Sequence, residues 1–348
     1  MSKERLNKFG KELGKLLEFQ NISINEYAER IGTTPKNLID IIDGNVALSF
    51  NMICNIAFIS DISTDYIFSV EENYKIDRII NNYLNINNLT ITNYLNRFNY
   101  KELKEKYNIK YRDDRNKYSI FEDIIKYLRI SDLNIIYKQD NHILYKSKND
   151  KPELLALWLE RCYRETLNQE INNYNKDNIE KLVKFIRNEA KNNRFDKEKL
   201  IKEFNKNGLF LAIEPDLKGA KIRGAFKVLN NKPAIYITTK YKRIADIYFA
   251  LLHELAHCKT DFNRAKNGSI VSFENDKPEE DYEIKADKTA FNWMIDDNEY
   301  ELIKKDLNKI KDYSIPSFVV YRLAHDKKIK YSDEIYQKYN VLVDNETE

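Results

Sequence analysis

His253-Glu254-Leu255-Ala256-His257 decides how this 348-residue chain is read. The surrounding stretch, residues 243–258, is apolar and predicts a helix. Positions four apart on a helix share a face, one turn above the other. Two imidazoles stacked in this way can grip one metal ion, and Glu254 faces the same cleft beside them. H-E-x-x-H on a helix is the working pattern of a zinc peptidase. The chain has only four histidines, so two of them in five residues is a concentrated signal.

A catalytic zinc ion takes three protein ligands and keeps a fourth position open. His253 and His257 supply two, and the third should come from a facing element. Residues 282–294 predict a helix, and Glu283 on it is the expected third metal ligand. Asp287, one turn later, is expected to hold the outer ring nitrogen of a ligand histidine, fixing its tautomer. Glu279, Glu280, Asp281 and Asp287 are rivals of Glu283, since an acidic run is usually a solvated surface. Glu254 is not expected on the metal. Its expected role is catalytic: it takes a proton from the attacking water and passes it to the leaving amine. Cys258 points about 100° away from its neighbour His257 on a helix and reads as core. His325 reads as surface or packing, and His142 as surface.

Working outward, residues 209–213, 224–229 and 234–239 read as strands. Asn230-Asn231-Lys232-Pro233 is turn chemistry, so the last two form a hairpin. Residues 259–281 read as a polar loop. The expected fold class is α+β: an all-α N-terminal domain over 1–75, a helical connecting region over 76–193, and a zincin-like domain over 194–348. The zincin-like part has a small sheet beside the H-E-x-x-H helix, a frame suited to binding substrate as an extended strand. In the connecting region residues 153–167 and 178–192 read as helices and 172–177 as a loop.

The N-terminal domain reads as short amphipathic helices with tight joints. Residues 9–19 form the first. Ser23 and Glu26 make a capping box before the second, which stops at Gly32. Pro35 opens the third at the first helical position, where its missing N–H costs nothing. Ser49 caps a fourth, and Ser63 or Thr64 a fifth. Ala28, four residues before Gly32, is small where two helices cross, which gives a helix-turn-helix pattern. Thr34, Lys36, Asn37 and Asp40 are the candidate DNA-binding residues. Asn can read adenine with two bonds, and Asp can accept from cytosine.

Charge tempers that expectation. Residues 1–72 hold seven Lys/Arg against eleven Asp/Glu, a net of −4. Phosphate neutralisation supplies most non-specific affinity for DNA, so binding is expected to be weak and to need a dimer or a partner. The whole chain is nearly balanced at +3 and is no polycation. Its three cysteines, Cys54, Cys162 and Cys258, are scattered and odd in number, which suggests neither a disulfide framework nor a cysteine zinc cluster. No run approaches the roughly 18 apolar residues of a membrane helix, and residues 1–10 have no apolar leader core. A cytoplasmic protein in a reducing compartment is expected.

The C-terminal part resembles the ImmA/IrrE-type metallopeptidases. The likeness lies in Lys232-Pro233-Ala234-Ile235, the helix ending in His253–His257, Glu283-Ile284-Lys285-Ala286-Asp287 with Ala290-Phe291, and 315–323. Lys285 stands where that family often has another acidic residue, and Ile295-Asp296 replaces its closing Met-Pro or Ile-Pro. The N-terminal part resembles XRE-type helix-turn-helix domains of the HigA antidote form. The matching residues there are Ile31-Gly32-Thr33-Thr34-Pro35-Lys36, Asp43-Gly44 and Tyr66-Ile67-Phe68. The resemblance implies a bacterial or mobile-element regulator whose zinc endopeptidase cleaves a specific protein such as a repressor, with operator DNA as a further partner. The alternative is an antitoxin-like repressor that binds a cognate toxin, with the zinc domain as scaffold or sensor.

Overall fold

The computed structural model describes residues 6–138, 151–240, 242–273 and 281–343. In chain order the helices begin with α1 (Phe9–Gln20), α2 (Ile24–Arg30), α3 (Pro35–Ile42), α4 (Phe50–Ile59) and α5 (Thr64–Ile86). They continue with α6 (Ile91–Arg97), α7 (Tyr100–Lys106), α8 (Lys117–Leu128), α9 (Asn134–Lys138), α10 (Pro152–Thr166), α11 (Asn178–Lys191) and α12 (Lys197–Lys206). Strands β1 (Phe210–Glu214), β2 (Ile222–Leu229) and β3 (Lys232–Thr238) precede α13 (Ile244–Thr260). Then follow α14 (Phe262–Ala265), β4 (Ile270–Phe273), α15 (Asp281–Met294), α16 (Asp297–Lys305), a 3-10 turn, α17 (Pro316–His325) and α18 (Glu334–Tyr339). The fold is α+β, mostly helical, with one small mixed sheet. No helix of the described residues is long and apolar enough to cross a membrane.

The chain forms two compact units. The described parts of 1–94 and 114–122 make the first, and those of 95–113 and 123–348 the second. In the first unit Phe9, Leu13, Tyr27, Ala28, Leu38 and Ile53 belong to one buried cluster. Side-chain caps set the helix starts: Ser23, Thr34, Ser49 and Ser63 each accept from a backbone N–H three residues on, satisfying donors the helix leaves free. At the N-terminus of α1 the side chain of Lys8 makes no cap, and Asn7 Oδ1 accepts from the Gly10 N–H at 3.0 Å. The buried Glu71 carboxylate of α5 also accepts from the N–H groups of Lys8 and Phe9 at 2.9 and 2.7 Å, where the helix end is electropositive. Gly32, with φ at +71°, allows the turn between α2 and α3. The helix α5 runs unbroken past residue 75.

The second unit is built on a sheet of order β1-β3-β2-β4. β1 pairs parallel to β3, and β2 pairs antiparallel to both β3 and β4. The expected hairpin is formed by β2 and β3. Its two linking residues, Asn230 and Asn231, have φ of +49° and +63°, the conformation a tight hairpin requires and Asn tolerates. The expected polar loop over 259–281 is corrected in part, because α14 and β4 lie within it. Side chains alternate across a strand, so the sheet has two covered faces. Phe226, Ile235 and Ile237 join a core with α13. On the other face Tyr236 meets Trp158 of α10 edge-on, ring centroids 6.4 Å apart. Apart from the half-buried Asp246, residues Ile244 to Cys258 of α13 are all buried, as expected of a helix that is apolar nearly all round.

Candidate metal centre

Helices α13 and α15 pack together, and their meeting faces carry the candidate centre. His253, His257 and Glu283 each offer a donor atom, all within 4.8 Å of one another. The two imidazole Nε2 atoms stand 3.0 Å apart. Glu283 Oε2 lies 3.1 Å from His253 Nε2, and Glu283 Oε1 lies 3.3 Å from His257 Nε2. All three residues are buried, the histidines at 1% and 0% exposure.

The outer nitrogens fix the tautomers. His253 Nδ1 donates to Asp287 Oδ1 at 2.8 Å, and His257 Nδ1 donates to Asp261 Oδ2 at 3.1 Å. An ionised carboxylate only accepts, so each Nδ1 holds a proton and each Nε2 turns inward, where it can offer its lone pair to a metal ion or hold a further proton. Three electron-rich atoms this close repel one another unless positive charge lies among them. Donors each about 2.0–2.1 Å from one tetrahedral ion stand about 3.3 Å from one another, near the spacings here. Two imidazoles and one carboxylate are also a familiar donor set for catalytic zinc. The residues therefore fit a zinc ion.

The same field favours protons. Burial opposes charge on His253, but its bonds to Asp287 and Glu283 prevail and push its pKa up to about 10. His257 is raised in the same way, burial being outweighed by Asp261 and Glu283. Burial would raise the carboxyls of Glu283, Asp287 and Asp261, yet their histidine partners hold all three below the usual range.

Glu254 stands beside this cluster and is fully buried. Its Oε1 accepts from Ser272 Oγ of β4 at 2.8 Å, while its Oε2 has no hydrogen-bond partner among the described residues. Burial pushes its pKa up, against the opposing pull of the two histidines. A carboxylate so tuned is a better proton acceptor than one in water. Strand β2 comes very close: a Cβ on Gly224 would lie 2.5 Å from Glu254 Oε1. Glycine is required there for the carboxylate to keep its place.

The structure thus gathers His253, Glu254, His257, Glu283 and Asp287. Asp261 and Ser272 belong with them and are not among the residues expected from sequence. Asp261 carries a readable signal, four positions after His257, where the helix end brings it onto the same face. Ser272 carries almost none, because its four-residue strand lies in a polar stretch that reads as loop. Among the rivals of Glu283, Asp281 is exposed, and Glu279 and Glu280 lie outside the described residues, as does His142. Cys258 is buried with its Sγ 3.4 Å from the Tyr174 hydroxyl. His325 is partly exposed and packs its ring on Phe291 at 4.7 Å.

The four candidate DNA-binding residues lie on α3 and its N-cap, in the first unit: Thr34, Lys36 and Asn37 at the start of the helix and Asp40 in its last turn. Thr34 Oγ1 is committed to capping the N–H of Asn37, and Asn37 Nδ2 donates to Thr33 Oγ1 at 2.8 Å. Lys36 is exposed and Asp40 half-buried.

Residues 215–328 match the model of a family described as Peptidase U49. The matched span is less than half of the chain and contains every residue of the centre. The similarity supports a peptidase function for the C-terminal region. No curated protein and no solved structure matches the chain.

Proposed function

We propose that the second unit is a zinc-dependent endopeptidase, of the ImmA/IrrE-like kind that its sequence resembles, and that it cleaves a specific protein such as a repressor. His253, His257 and Glu283 would hold the metal. Bound there, zinc supplies Lewis acidity to the scissile carbonyl and to the attacking water. Asp287 and Asp261 keep both Nδ1 atoms protonated and the rings turned inward. Glu254 accepts the proton of the attacking water and returns it to the leaving amine. Ser272 anchors one of its oxygens and leaves the other available. The observation that carries this reading is the buried, half-satisfied Glu254 beside a three-donor cluster from which it is itself absent.

The first unit, on this reading, is a helix-turn-helix that holds operator DNA or a partner protein, with the exposed Lys36 at the start of its reading helix. Its net negative charge makes it dependent on dimerisation or a partner for affinity.

Glu254→Gln tests the catalytic role. The variant should bind zinc as the wild type does and lose cleavage by about 10²–10⁴-fold. Wild type and variant are incubated with a bacterial extract, and new protein N-termini are counted by amine labelling and mass spectrometry. New termini made equally by both proteins would exclude Glu254 as the proton shuttle.

A further inference from the structure

A second site lies on the sheet face opposite the metal centre. Alternation along β2 turns Gly224 and Phe226 toward α13 and sends Ala225 and Lys227 to the other face. Ala225 pairs with Tyr236, the residue that meets Trp158 of α10. On that side a cleft of about 370 Å³ opens near the end of α8, α9, α10 and the strands. Its polar lining includes Lys227, Arg129, Glu160 and Tyr163, and its apolar wall includes Ile136 and Leu159. The volume falls in the usual range for small-molecule sites.

Among the described residues the charges lining this cleft do not balance. Glu160 already serves two guanidinium groups, with Arg129 Nε and Arg164 Nε each 2.9 Å from its Oε1. Arg129 also lies 4.7 Å above the Tyr163 ring, which holds it at the rim. The Lys227 ammonium makes no hydrogen bond or ion pair with any described residue. Among the described residues lining the cleft, two cations, Arg129 and Lys227, thus face one carboxylate, which Arg164 engages as well. A half-buried ammonium without a partner is costly, because it has lost water and gained nothing in return. Burial accordingly lowers the Lys227 pKa, with only the field of Glu160 opposing.

We propose that this cleft binds a small amphiphilic anion, its carboxylate or phosphate head on Lys227 within the field of Arg129, and its apolar body against Ile136 and Leu159. An anion there completes the ion pair that Glu160 cannot supply. The apolar wall excludes water and strengthens that pair. An uncharged molecule of the same shape gains only the wall.

The test uses the full chain and isothermal titration with octanoate, hexyl phosphate and, as the neutral control, 1-octanol. Saturable one-site binding of octanoate or hexyl phosphate is expected, at least about tenfold weaker in Lys227→Met and largely restored in Lys227→Arg. Whichever anion binds tighter identifies the head group. The melting temperature of Lys227→Met without probe should equal or exceed that of wild type, since the substitution removes an unpartnered charge, and this shows that the variant folds. Equal binding of 1-octanol and the anions would overturn the proposal. So would unchanged binding in Lys227→Met, or no saturable binding of either anion up to roughly 10 mM.

Discussion

Asp287 and Asp261 each hold the outer nitrogen of one histidine, from opposite ends of the centre. Asp287 reaches across from α15, whereas Asp261 reaches back one turn from the end of α13. Either carboxylate raises the basicity of the ring it touches and prevents that ring from flipping. Asp287→Asn and Asp261→Asn are each expected to weaken zinc binding by about 10–100-fold, measured by competition against a fluorescent chelator. Unchanged affinity in both would mean that the rings are oriented by packing alone. The same bonds set a pH dependence. Because the pKa of His253 is pushed up to about 10, the metal-free centre holds a proton at neutral pH, and zinc must displace it. Zinc binding should therefore release about one proton, and affinity should fall about tenfold per pH unit as pH is lowered. Titration calorimetry in two buffers of different ionisation enthalpy counts that proton; a buffer-independent heat would contradict it.

Elements, rather than single residues, bring Glu254 to its position. Helix α13 supplies it, β4 supplies Ser272, and β2 passes so near that only glycine fits at 224. Gly224→Ala should displace the carboxylate while leaving the three metal donors untouched. Zinc affinity should stay within about threefold of wild type, and the cleavage rate should fall about 10²-fold, the scale expected for an angstrom of misplacement. A variant with wild-type cleavage would show that the carboxylate has room to adapt. This assembly explains which parts of the centre were legible in the sequence. His253 and His257 are four apart on one helix, so their joint geometry is local and readable. Glu283 and Asp287 share that spacing on a second apolar-faced helix, and a third ligand was needed, which located them. Ser272 lies 18 residues from Glu254 on a four-residue strand, too short to show alternation. The β2–β3 hairpin was legible from Asn230 and Asn231, whose turn preference is local. The parallel pairing of β1 with β3 was not, because register across a crossover depends on the packing of both faces. Helix α12 has an Asp196 cap and Leu200 and Phe204 on one face, a periodic signal that a reading for strands after residue 195 passes over.

At the scale of the whole molecule, the two units have separate buried clusters, and only the second holds the metal donors. The chain's two tryptophans are also in the second unit, Trp158 on α10 and Trp293 on α15. Trp293 lies on the same helix as Glu283, and Trp158 packs on the sheet behind α13. Tryptophan fluorescence therefore reports the unit that contains the centre. A ligand that binds only the folded state stabilises it by mass action, about 4 kcal/mol at a thousandfold excess over its dissociation constant. A strong chelator should thus lower the thermal midpoint followed by tryptophan emission, and added zinc should restore it. His253→Ala should start from the lower midpoint and ignore zinc, because an imidazole is lost while the remaining donors still repel one another. Glu254→Gln should respond to zinc as wild type does, since Glu254 is outside the donor set. A wild-type midpoint indifferent to both chelator and zinc would remove the metal from the second unit, and with it the catalytic role assigned to Glu254.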